Sequence, residues 1–161
     1  MDKFLRDIWL ECCGHLSSFR IDGVLYDAEP QASMGWGVLP TKSMNCKLKS
    51  VLKEGMLFEY EYDFGSTTAL AIKVFDYREG SWKKDEITIM SRNKPIERLC
   101  DECGEKVATV VCAECIYEGK GFLCDDCRDN HACGEEMFMR IANSPRCGVC
   151  AYEGSSKYPD Y

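Results

Sequence analysis

Along the first hundred residues the hydrophobic positions change period in a readable order. Residues 3–13 place Phe4, Leu5, Ile8, Trp9 and Cys12 on one helical stripe, with Lys3, Arg6 and Asp7 off it, and Gly14 follows as a stop. Ser18-Phe19-Arg20-Ile21 and Val24-Leu25-Tyr26 flank Asp22-Gly23, the signature of a two-residue hairpin turn. Residues 28–41 are rich in glycine, proline and small side chains and read as a loop. Within it Trp36 sits between two glycines, as a contact anchor or as a ring folded back on the sheet. Ser43 is placed to cap a second helix that buries Leu48, Val51 and Leu52 and stops at Gly55.

Strict alternation then takes over. In 56–63, Met56, Phe58, Tyr60 and Tyr62 fall on one face, and Glu59, Glu61 and Asp63 on the other, as in a half-buried strand with a solvated acidic side. A turn at 64–68 leads to further strands expected over 69–77 and 86–91. The fold class expected is α+β: two helices packed on an antiparallel sheet, followed by a small cross-braced zinc-binding module. Ser91-Arg92-Asn93-Lys94-Pro95 leads from one part to the other. The expected division is a domain over 1–95, a metal module over 98–150 and a tail over 151–161.

The chemistry lies in the cysteines. Nine of the twelve fall within residues 100–150. The order is Cys100-x2-Cys103, Cys112-x2-Cys115 and Cys124-x2-Cys127, then His131-x-Cys133. Two thiolates separated by two residues can turn both sulfurs to one cation, so four such half-sites imply two metal ions. Zinc suits closed, thiolate-rich sites better than iron does. Two groupings fit the spacing. In the sequential one, Cys100, Cys103, Cys112 and Cys115 hold one ion, and Cys124, Cys127, His131 and Cys133 the other. In the cross-braced one, Cys100, Cys103, Cys124 and Cys127 share an ion, and Cys112, Cys115, His131 and Cys133 the second. The cross-brace is favoured, because the eight-residue links are short for a ribbon hairpin and interleaving knits the segment better. Cys147-x2-Cys150 is a further pair that could replace the last half-site.

Charge and composition narrow the function. Residues 1–99 carry a net charge of −1 and residues 100–161 a net of −6. Two zinc ions on seven thiolates and an imidazole would add about −3 more. Nucleic-acid affinity rests on Lys and Arg neutralising phosphates, so the metal segment is a poor candidate for it. No run is long enough to cross a membrane, and MDKFLRDIW has no apolar export core. Thiols in metal spacing without an export signal favour a reducing, cytoplasmic setting over disulfides. Asp63-Phe64-Gly65 and Leu70-Ala71-Ile72-Lys73 mimic kinase motifs, but in reversed order and without a catalytic loop. Cys12, Cys13, His15 and Cys46 are the candidate nucleophile group. Cys12 reads as a buried helix residue and His15 as a helix-end cap, and no catalytic residue is assigned.

Two resemblances add to this. CDECGEKVATVVCAEC and FLCDDCRDNH resemble a B-box-type zinc finger in ligand order and spacing. That resemblance implies a cross-braced two-zinc unit engaged in protein–protein contacts and self-association. B-box fingers close with a second histidine, where this chain offers Cys133, Cys147 or Cys150. WLECCGHLSSFRIDGVLY with LFEYEYDFGSTTALAIKV is similar to the Ri-plasmid open-reading-frame-three-like family over 3–91. That family implies an α+β fold of unestablished function, some members being described as passengers of mobile elements. It places a strand before the first helix, so the resemblance implies either a misplaced start codon or an open sheet edge, the latter a site for strand addition by a partner. The reading is a zinc-binding, non-catalytic adaptor for another protein. Alternatives are a nucleic-acid-associated protein linked to mobile elements and a thiol-based redox or metal-handling protein.

Overall fold

A computed structural model of the chain describes residues 1–30, 40–80 and 87–160. They form a mixed α/β structure with two sheets and two short α-helices. The chain divides into two compact units, one of Met1–Gly14 with Thr88–Tyr161 and the other of His15–Ile87. Met1–Gly14 groups with the cysteine-rich part, and in that unit Tyr152 is buried and Asp160 pairs with Arg92 at 3.0 Å.

In the contiguous unit, β1 (Ser17–Ile21), β2 (Val24–Asp27), β3 (Lys42–Ser43), β4 (Leu57–Tyr62) and β5 (Thr68–Lys73) form one sheet in the order β3-β2-β1-β4-β5. All neighbours are antiparallel except β2 and β3. The Asp22-Gly23 turn closes β1 on β2 as expected, with Ile21 opposite Val24 and positive φ at both turn residues, 51° and 74°. Alternation in β4 also holds: Phe58, Tyr60 and Tyr62 are buried, whereas Glu59 is 64% exposed and faces Arg20 across the pair. Phe19 packs on Tyr60, ring centroids 4.6 Å apart, and on Phe58. Asp63 departs from the acidic stripe. It lies beyond the strand, buried, at φ 63°, and its carboxylate accepts the Gly65 amide at 3.0 Å.

Three expected elements differ. The N-terminal helix is one α-turn, α1 (Asp2–Leu5), continued as a wider π-turn over Arg6–Leu10 and ending at extended Glu11. Widening to i→i+5 bonds, seen in the Glu11 amide on the Arg6 carbonyl, shifts the buried stripe so that Leu10 is fully enclosed. Cys12 therefore lies past the helix. The second helix does not form: Ser43 closes β3, its hydroxyl accepts the Asn45 amide, and only a 3₁₀ turn, Leu48–Ser50, follows. A hydroxyl that bonds its own next-but-one amide offers the backbone an alternative to the helix. Residues 87–91 pair with no strand among the described residues, and Met34, Gly35, Trp36 and Gly37 lie outside them.

The other unit holds a three-stranded antiparallel sheet, β7-β6-β8, of β6 (Val110–Cys112), β7 (Phe122–Leu123) and β8 (Phe138–Arg140). Helix α2 (Asp125–Arg128) follows β7 at once. Val111, Phe122, Met139 and Ala108 make one small buried cluster, and Cys100, Cys112, Leu123 and Cys124 a second. Three of the four residues of that second cluster are cysteines, so it is lined by sulfur more than by hydrocarbon. The N-terminal segment is tied on by Lys157 to Asp7 at 2.9 Å, by the Ser144 hydroxyl to the Trp9 carbonyl at 2.7 Å, and by Phe4 edge-on to Tyr158.

Candidate metal centre

Each cysteine pair is placed by a short tight turn. Cys100 leaves a β-bridge between Leu99 and Val107, and the Gly104 amide bonds the Cys100 carbonyl at 2.8 Å, folding Cys103 back beside it. Cys112 ends β6, and Cys115 follows on a single 3₁₀ turn closed by Gly119 at φ 76°. Cys124 is the residue before α2 and Cys127 lies within it, so one turn of helix faces both sulfurs the same way. His131 and Cys133 follow the helix end, where the His131 amide bonds the Arg128 carbonyl.

These donors gather in the interleaved grouping. Cys100, Cys103, Cys124 and Cys127 offer four sulfurs within 4.8 Å of one another, and Cys112, Cys115, His131 and Cys133 do the same with three sulfurs and a nitrogen. Sulfurs held tetrahedrally about 2.3 Å from one zinc stand about 3.8 Å apart. Cys103 and Cys124 are 3.9 Å apart and Cys115 and Cys133 3.7 Å, far beyond a disulfide bond and at the spacing of two ligands on one ion. His131 presents Nε2 to the Cys115 sulfur at 3.3 Å. The residues present could thus hold two metal ions, and the thiolate-rich donor set suits zinc.

The residues between the first two cysteines were not legible as functional from the sequence. Asp101 accepts the amides of Gly121 and Phe122 at 2.7 and 2.8 Å, pinning the first turn to β7. Glu102 accepts from His131 Nδ1 at 2.7 Å. A carboxylate on the far nitrogen fixes the tautomer and aims Nε2 at a metal, so a residue of one group orients a donor of the other. That hydrogen bond raises the His131 pKa against the opposing effect of burial.

The thiols divide by their surroundings. Burial works to raise Cys100, but backbone amides of Cys103, Cys124 and Glu102 outweigh it and bring the thiol to about 6. Cys112 likewise falls to about 7 through the amides of Cys115 and Glu114, despite its burial. Burial and the neighbouring sulfurs push Cys115 up to about 12, and Cys100 and Cys124 beside it raise Cys127. Cys100 and Cys112 thus ionise readily, whereas Cys127 and Cys115 beside them are raised, and a dication binding there would displace their protons.

The remaining cysteines are placed otherwise. Cys147 is half-buried beside the Val111 cluster, its sulfur accepting the Ala142 amide at 3.3 Å, and belongs to neither group. Cys150 stands 3.6 Å from Cys13, which is 3.6 Å from Cys12. Cys46 is exposed and outside every such cluster among the described residues. No helix of the described residues is long and apolar enough to cross a membrane. No protein-family model matches the chain, and comparison with curated proteins and with solved structures finds no match.

Proposed function

We propose that the chain is a zinc-stabilised, non-catalytic protein that acts by binding another protein. The observation that carries this reading is the pair of interleaved groups, each complete with four protein donors. A tetrahedral zinc closed in this way keeps no position for water or substrate, so it folds the segment rather than reacting. The likeness of residues 100–131 to B-box fingers supports a protein as the partner, with self-association as one form of it. Exposed Glu105, Glu114, Glu118, Asp126 and Glu136 favour a basic partner surface over a phosphate backbone.

The test begins with elemental analysis of protein purified without added metal. Cys103→Ser and Cys115→Ser are each expected to lower the zinc count by one. Iron in place of zinc, or a count unmoved by either change, overturns the reading and brings forward a redox or metal-handling role. The nucleic-acid reading, supported by the likeness to the Ri-plasmid family, predicts a retardation shift at low salt. None is expected at micromolar protein.

A further inference from the structure

We propose that Cys12, Cys13 and Cys150 form a third zinc site, separate from the two interleaved groups, which staples the N-terminal segment to the C-terminal one. All three residues belong to the same compact unit, and the Cys13 and Cys150 sulfurs meet across 137 residues of chain.

Three observations converge on it. The first is spacing: both sulfur–sulfur distances are 3.6 Å, close to the separation of about 3.8 Å for two thiolates on one tetrahedral zinc. All three sulfurs lie within 4.8 Å of one another as free thiols. The second is backbone geometry. The helical segment stops at extended Glu11, and Gly14 turns at φ 80°, which leaves Cys12 and Cys13 on a bend of their own. Opposite, Cys150 and Ala151 both take positive φ, 50° and 54°, a conformation that side-chain-bearing residues adopt at a cost and keep where surroundings impose it. Amide bonds from Val149 to Arg146 and from Tyr152 to Val149 hold that turn.

The third is charge. Arg146 is fully enclosed, and its positive charge acts on the Cys12 thiol. Three thiolates on a dication carry one net negative charge, and one enclosed guanidinium offsets it. A dithiol switch needs two sulfurs; three with a buried cation is the make-up of a thiolate metal site.

The experiment is zinc per chain in the full-length protein, by elemental analysis and native mass spectrometry. Three zinc ions are expected in the native chain, two in Cys13→Ser and Cys150→Ser, and three again in Cys150→His, which keeps a donor. Two ions in the native chain, or a Cys150→Ser count equal to the native one, overturns the third site. So does a disulfide among these three cysteines in protein that carries two zinc ions. Should the serine variants fail to fold, the native count decides. Cys103→Ser and Cys115→Ser report on the interleaved groups alone, so failure there is told apart from failure here.

Discussion

At the scale of single residues, the side chains around the sulfurs matter as much as the sulfurs. Glu102 stands on the first cysteine turn yet bonds the imidazole of the second group at 2.7 Å. Glu102→Gln is expected to weaken zinc at that group about 10–100-fold in a chelator competition, leaving the four-cysteine group unchanged. An unchanged affinity would mean that His131 is oriented by packing against Phe138 instead. Gly121 is a second such position. A Cβ there would stand 2.8 Å from the Ile116 amide nitrogen and 3.1 Å from the Cys112 carbonyl. Gly121→Ala is therefore expected to cost about 1–3 kcal/mol, read as a lower denaturation midpoint of the zinc-loaded protein. Neither role could be read from spacing: the sequence marks Cys100 and Cys103 as ligands, but which partner meets Asp101 or Glu102 depends on where β7 and His131 arrive.

At the scale of elements, β4 is the strand whose sequence pattern carries over directly. Phe58→Ala removes a buried ring packed on Phe19 and is expected to cost about 3–5 kcal/mol, whereas Glu59→Ala on the opposite face should change stability little. Equal effects in urea denaturation would contradict the two-faced strand. The N-terminal segment is less legible, because a 3.6-residue stripe does not announce a π-turn. Its attachment has a pH signature. The hydrogen bond from Lys157, with that lysine's charge and Lys3, holds the Asp7 carboxyl below its ordinary 3.8 against a raising effect of burial. A depressed folded value contributes stability above the unfolded value and loses it as pH falls through the folded one. Asp7→Asn is accordingly expected to be less stable than the native chain at pH 7 and equal to it in strong acid. A constant difference across that range would assign the loss to packing.

At the scale of the whole molecule, the chain enters one unit, leaves it at Gly14 to build the five-stranded sheet, and returns to it at Thr88. The cysteine-rich unit has a small hydrocarbon core, and metal ions bound at its sulfur-lined cluster would neutralise the thiolates buried there. Chelation is expected to abolish amide protection in β6 and β7 while Phe19 and Tyr60 stay protected, measured by hydrogen exchange. Loss in both sets together would show that the sheet depends on the metals. The sequence by itself determined what local chemistry dictates. Cysteines two apart can turn both sulfurs to one cation, Asp-Gly closes a hairpin, and strict alternation makes a two-faced strand. Tertiary structure decided what depends on distant chain. It interleaved the donor groups, enclosed Arg146 beside Cys12, and brought Cys150 to Cys13, because a contact across 137 residues leaves no periodic trace in the residues on either side.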